Sequence, residues 1–397
     1  MYLVGLVALA VTVVPFLGFR LYATRVACAE SPVADRLHRL ERAQQVAGFV
    51  LPIVAIVFVF TFDLTDRTTA AVESVAPALG AVPGVPLFLS VLVIFSMATL
   101  PVVAVVLGLY PTIRSLRGTS ASAFRVVKGT VAGIAMGAAL VGLAVGGVLT
   151  VTSLVGSSLP VLVGGISVVI FAIFGLTPYL IALFQERVPL EGERRERVDR
   201  LCADLGYEPR GLSLLEGEST KTANAMVAGT IPGLRYVFLT DYLLEECSDD
   251  ELRAILAHEF GHVAGRHLWQ RGLVTVAAIV AWIVAAEPLG VTALEEQFGF
   301  AGLFLPLMAG YAVYHVLLLG GLAYWQEYRA DAYAAARAGP DATVDALEVL
   351  ASANDMTREA GLLYSLATHH PPIADRIDAV RRGSSSASDR ARSTTTD

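Results

Sequence analysis

Lysine is almost missing from this chain. Lys128 and Lys221 are the only two in 397 residues, and arginine supplies the rest of the 29 basic side chains. Acidic residues number 36, so the net charge is −7. That balance argues against nucleic acid as a partner, because an acidic surface repels a phosphate backbone. Cysteine is equally scarce. Cys28, Cys202 and Cys247 are odd in number, far apart and without zinc-ligand spacing. This excludes a disulfide framework and a cysteine-held metal, and leaves the three as structural residues. Charged side chains of any kind make up only 16% of the chain. What fills the space is apolar: 55% of residues are hydrophobic and the mean hydropathy is +0.62, too high for an ordinary soluble domain.

Several runs reach the ~20 apolar residues that a membrane-crossing helix needs. Spans are expected near 1–19, 45–62, 87–110, 129–152, 159–184, 271–287 and 299–325, seven in all. The first has no basic residue ahead of it, with Arg20 and Arg25 behind it, so it reads as a retained helix rather than a leader. The loop after the first span carries Arg20, Arg25, Arg36, Arg39 and Arg42. The loop after the third carries Arg114, Arg117, Arg125 and Lys128, while Arg67 is the one base in the loop between. Basic loops stay in the cytoplasm. The expected topology therefore has the N-terminus outside and both the 185–270 segment and the C-terminus inside.

Histidine is rare, seven in the whole chain, yet two fall four residues apart in His258-Glu259-Phe260-Gly261-His262. Residues so spaced share one face of a helix, so both imidazoles can reach one ion. A helix is expected there. Ser248 and Glu251 form an S-x-x-E start signal, Asp249 and Asp250 crowd the positive end of the dipole, and Leu252, Ile255, Leu256, Phe260 and Val263 recur at helical spacing. The H-E-x-x-H pattern points to zinc, one ion per chain, with Glu259 as general base. Zinc lowers the pKa of a bound water to about 7, and metal-assisted hydrolysis, most often of a peptide bond, is the implied chemistry.

Two histidines leave a catalytic zinc one ligand short. Glu327 and Asp331 lie four apart just beyond the last span. One can bind the ion, and the other can take the free ring N–H of a ligand histidine. His315 lies inside the last span, where an ionisable side chain is either a lining residue or a neutral hydrogen-bonded one. His267 is out of phase with the ligand pair and receives no role. Between the fifth span and the zinc helix, 191–205 reads as a charged helix and 212–215, 223–227 and 236–240 as short strands separated by Gly and Pro turns.

Four motifs occur in order: Asn224-Ala225-Met226-Val227-Ala228-Gly229, the H-E-x-x-H run, Glu327-Tyr328-Arg329-Ala330-Asp331, and His370-Pro371-Pro372 with Arg376-Ile377. Together they resemble the HtpX and CAAX prenyl protease 1 group of integral-membrane zinc metalloproteases, the gluzincins. The resemblance covers about 185–382 by motif, and 1–184 only by helix count. It implies that His258, His262 and Glu327 bind zinc, that Glu259 is general base and then acid, and that Asp331 orients a ligand histidine. It implies further that Asn224 lies on an edge strand pairing with an extended substrate, and that Asn224 and His370 support the developing oxyanion. His369 doubles the expected histidine and is read as a surface residue.

The expected fold is a mainly α membrane protein of about seven transmembrane helices with a small cytoplasmic α+β zincin-like domain. Residues 1–184 form a five-helix membrane domain, and 185–270 the cytoplasmic segment with a short sheet and the H-E-x-x-H helix. Residues 271–325 form two further spans, 326–382 a cytoplasmic helical segment completing the zinc site, and 383–397 a disordered tail. The expected function is a zinc metalloendopeptidase cutting membrane proteins or peptides in extended form at the cytoplasmic face, as in HtpX-like quality control. Processing of lipidated C-termini is the alternative. Two rivals of another class are a non-catalytic zinc-containing membrane scaffold, which has no need of Glu259, and a zinc transporter, which would carry more intramembrane ionisable residues.

Overall fold

The computed structural model describes residues 2–77, 85–156, 158–231 and 233–394, with side chains outside the described set at 78–88, 90, 91, 138, 139, 141–154, 184 and 385–394. It is mainly helical. The N-terminal half contains α1 (Tyr2–Ala27), α2 (Val33–Thr61), α3 (Leu64–Val75), α4 (Val85–Arg117), α5 (Ala123–Val155) and α6 (Leu159–Phe184). There follow β1 (Arg187–Val188), α7 (Gly192–Asp204), β2 (Gly211–Leu215), β3 (Ala225–Ala228), β4 (Tyr236–Thr240), α8 (Asp241–Glu246) and α9 (Asp249–Ala264). The chain then runs through α10 (His267–Ala286), α11 (Val291–Phe298), α12 (Phe300–Val313), a π-turn (Tyr314–Leu319), α13 (Gly320–Ala338), α14 (Pro340–Ala353), α15 (Leu362–Thr368) and α16 (Ile373–Thr394).

Six helices among the described residues are long and apolar enough to cross a membrane. They fall on six of the seven expected spans. The remaining one, 129–152, lies within α5, and the side chains of 141–154 are outside the described residues. The last candidate runs without a break from Phe300 to Ala338, longer than expected, because the π-turn at Tyr314–Leu319 keeps the ladder continuous into α13. Large apolar side chains on these helices face outward: Val168 is 69% exposed and Leu183 74%. Such surface suits contact with hydrocarbon and not with water.

The chain divides into two compact units. One comprises Met1–Ala139 and Trp282–Tyr311. There α1 packs along α4. Val7, Val11, Ala55, Val59, Leu64 and Met97 form one buried seam, and Ala23, Val26, Leu40, Ala47, Val105 and Leu109 another. The other unit comprises Leu140–Ala281 and Ala312–Asp397 and holds every candidate site residue.

In that second unit a four-stranded sheet has the order β1-β2-β4-β3. Strands β2 and β4 are parallel, and β3 runs antiparallel to β4 at the sheet edge. Strand β3 begins at Ala225, two residues later than the pattern suggested. Ala223 is held instead by Asn354, whose Oδ1 accepts from its N–H (3.0 Å) and whose Nδ2 donates to its carbonyl (2.9 Å). The sheet and α7 enclose a core of Val198, Leu214, Val237, Leu239, Leu252 and Phe260. Helix α16 continues to Thr394, past the start of the tail read as disordered, and no proline interrupts that stretch.

Candidate active site

The start of α9 is fixed by reciprocal bonds: the Ser248 hydroxyl accepts from the Glu251 N–H (3.4 Å), and Glu251 Oε2 accepts from the Ser248 N–H (2.7 Å). From that start the helix carries His258, Glu259 and His262 to one face. Gly261 lets α13 approach: a Cβ there would lie 3.0 Å from the Ala330 Cα. The close crossing of α9 and α13 sets Glu327 against both histidines.

The His258 and His262 Nε2 atoms are 3.2 Å apart. Glu327 Oε2 is 3.6 Å from His258 Nε2, and Oε1 is 3.3 Å from His262 Nε2. One ligand atom from each of the three falls within 4.8 Å of the others. A tetrahedral zinc with bonds of about 2.0–2.1 Å separates its donors by about 3.3 Å. The donor set thus fits zinc in spacing and in chemistry, two imidazole nitrogens and one carboxylate. Glu327 is 2% exposed, and Arg376 Nη1 lies 3.2 Å from its Oε2.

Each imidazole has a partner behind it. Asp331 Oδ1 lies 2.8 Å from His258 Nδ1. Arg376 clamps the same carboxylate with two bonds, Nε to Oδ2 at 2.8 Å and Nη2 to Oδ1 at 2.6 Å. Burial alone would lower the Arg376 pKa, but Asp331 and Glu327 outweigh it and hold it above its ordinary value. For His258 burial also works downward, and the bond to Asp331 reverses the shift. His262 Nδ1 lies 2.7 Å from Nδ1 of His267. This corrects the reading that gave His267 no role. The helical phase of His258 and His262 does not carry through Arg266, where the backbone turns left-handed (φ 54°) and a new helix starts at His267. Gly265 leaves room for the ring, since a Cβ there would run into His267.

Glu259 lies beside the donor set in the same cleft, its Oε2 accepting from the Val227 N–H of β3 (3.3 Å). Asn224 precedes β3 and is exposed to the cleft. It is anchored by its N–H to Thr240 Oγ1 and by its carbonyl to the Thr240 N–H, both 3.0 Å. His370 Nδ1 is 3.2 Å from Glu327 Oε2, with the side chain 60% exposed. His369 diverges from it. Its backbone is left-handed (φ 65°), its Nε2 lies 3.2 Å from the His315 carbonyl oxygen, and the two rings are 4.4 Å apart. It is a half-buried contact residue rather than a surface one. The residues missed from sequence are His267 and Arg376. Arg376 was visible only as part of a motif, with no signal of its partner.

Residues 190–383 match the family model described as Peptidase family M48. Protease HtpX of Pseudomonas entomophila (strain L48) is 30% identical over 255 residues, covering 53% of this chain and 83% of that protein. The chain belongs to peptidase family M48. The family expected from the motifs is the one found, and the chain is a multi-pass membrane metalloprotease of this family. A relative named CAAX prenyl protease 1 homolog, from Arabidopsis thaliana, is 28% identical over 225 residues, 51% of each protein. The chain thus spans about half the length of that relative. In fold this M48 peptidase is similar to the crystal structure of S. mikatae Ste24p, with a TM-score of 0.66 at 17% identity, over 94% of this chain and 98% of that one. The fold likeness therefore includes the helical N-terminal half, outside the family match.

Proposed function

We propose that this M48 peptidase is a zinc metalloendopeptidase that hydrolyses peptide bonds of membrane proteins or peptides at the cytoplasmic face, in HtpX-like quality control. The observation that carries the reading is the convergence of His258, His262 and Glu327 within 4.8 Å, with Glu259 in the same cleft beside an edge strand. Those three residues would hold the ion. Zinc, when bound, supplies a Lewis acid that polarises the scissile carbonyl and acidifies water. Glu259 takes the proton of the attacking water and returns it to the leaving amine. Asp331, held by Arg376, keeps the His258 proton on Nδ1 and so leaves Nε2 free to bind. An extended substrate adds to the free edge of β3. Asn224 and His370 donate to the carbonyl oxygen as it gains charge. The basic loops after the first and third spans support a cytoplasmic site with the N-terminus outside.

A second reading, processing of lipidated C-termini, is favoured by the match to the Arabidopsis CAAX prenyl protease 1 homolog and by the Ste24p-like fold. The scaffold reading is disfavoured because a structural zinc has no use for Glu259. The test joins metal analysis to cleavage of an unfolded membrane-protein substrate, with and without chelator. One zinc per chain and chelator-sensitive cleavage are expected. Glu259→Gln should keep its metal while cleavage falls by about 10²–10⁴. Undiminished cleavage by that variant would refute the assignment, and a prenylated peptide cut in preference to the unfolded protein would favour the second reading.

A further inference from the structure

The cleft has two chemically different ends. One, of about 200 Å³, is walled by Ile255, Leu347, Leu350, Met356 and Ile373. The other, of about 330 Å³, contains Arg235, Arg266 and Arg271 beside Trp269. Both reach His258, Glu259 and Glu327. A substrate lying across the donor set therefore meets an apolar recess on one side and a cationic one on the other.

Of the three arginines, Arg271 is held in place. It lies one helical turn beyond His267 on α10, half-buried. Its Nε donates to Gln326 Oε1 at 2.8 Å. Gln326 is fully buried and donates through Nε2 to Gln270 Oε1 (2.9 Å) and the His267 carbonyl (3.3 Å). This relay fixes the guanidinium plane. Its two terminal nitrogens have no hydrogen-bond partner among the described residues, and no described carboxylate lies within ion-pair distance of them. The neighbouring acids are otherwise engaged: Glu259 with the Val227 N–H, Glu327 with the histidines and Arg376. Arg235 and Arg266 reinforce the positive field without such anchoring. Glu327 and Glu259 lie near enough to attract this cation, yet neither closes its fork, and the guanidinium fork matches a carboxylate with two parallel bonds.

We propose that Arg271 selects substrates that place a carboxylate, from an acidic side chain or a free C-terminus, in the arginine-lined end of the cleft, while an apolar side chain fills the other end. The proposal rests on the proteolytic reading above. It is tested with a peptide set that keeps one large apolar residue and differs only by Asp or Asn at each flanking position, with the C-terminus free or amidated. Cleavage by the zinc-loaded full-length protein gives kcat/KM. Fluorescence anisotropy on the Glu259→Gln protein gives binding independently of hydrolysis. The acidic member of one matched pair should be favoured by about 10- to 100-fold, the worth of a hydrogen bond to a charged group. Arg271→Gln should bring that ratio to about one, and Arg271→Lys, which keeps the cation, should retain part of it. Asp preference at one position identifies a side chain, and sensitivity only to amidation identifies the terminus. Equal use of charged and neutral peptides by the unmodified protein would overturn the proposal, as would an Arg271→Gln loss equal for both members of every pair. If no peptide is cleaved, the proteolytic reading fails, and the anisotropy ratio alone decides the role of Arg271.

Discussion

The Nδ1 atoms of His262 and His267 lie 2.7 Å apart, a separation at which one must donate and the other accept. For His262 to offer its Nε2 lone pair to the donor set, its own Nδ1 must carry the proton. His267 must then be a neutral imidazole protonated on Nε2. On the proposed zinc site, this pair would fix the tautomer of His262 as Asp331 would fix that of His258. His267→Ala should therefore weaken zinc affinity by about 10–100-fold while leaving helix content intact. Competition with a chelator of known affinity, alongside circular dichroism, measures both. Unchanged affinity would remove His267 from the site.

Arg376 and Asp331 are both buried, and each is the other's principal partner. Arg376→Ala strands two carboxylates, Asp331 and Glu327, away from water. Breaking a buried pair from one side costs about 3–5 kcal/mol. Asp331→Ala strands the arginine instead, and should weaken zinc binding by about 10–100-fold. The double variant removes both charges, so its cost should fall well below the sum of the two. Denaturant unfolding of the metal-free proteins reads the coupling. Strict additivity would mean that the clamp does not support the site.

The parts of this arrangement written in local sequence were legible, and those made by packing were not. Ser248 and Glu251 announce α9, and long apolar runs announce the spans, because both signals are local. The four-residue step from His258 to His262 carries the same kind of information. By contrast, Arg376 meets Asp331 across 45 residues and His369 meets His315 across 54. Neither residue has a pattern that names its partner. His267 was hidden for a different reason: Arg266 adopts a left-handed backbone without being glycine, so nothing marked the break in phase. The short helices α3 and α11 fell in segments read as loops, since each is too short for a periodic pattern to stand out.

The three cysteines should differ sharply in reactivity. Cys28 is exposed, while burial pushes the thiols of Cys202 and Cys247 up to about 12. Only the thiolate is nucleophilic, so a raised pKa leaves both neutral and unreactive at pH 8. Mass spectrometry after maleimide treatment in detergent at pH 8 should find one modified residue, Cys28, and three after denaturation. In intact cells an impermeant maleimide should spare Cys28, because the proposed topology puts its loop inside. Labelling of Cys28 from outside would invert that topology.

The adjacent histidines give the sharpest test of how the cleft works. His370 faces Glu327, whereas His369 turns away to the His315 carbonyl. If His370 and Asn224 donate only as charge develops on the substrate oxygen, losing either lowers kcat more than it raises KM. The expected loss is about 10²–10³ for one oxyanion donor, with zinc content unchanged. His369 should behave differently. Its left-handed backbone suits asparagine or glycine, so His369→Asn keeps the turn while deleting the imidazole contact. That variant should lose about 0.5–1.5 kcal/mol of stability, the worth of one hydrogen bond, with kcat within about tenfold of the parent. A His369→Asn protein as damaged in kcat as His370→Ala would show that the wrong histidine has been placed beside the reacting oxygen.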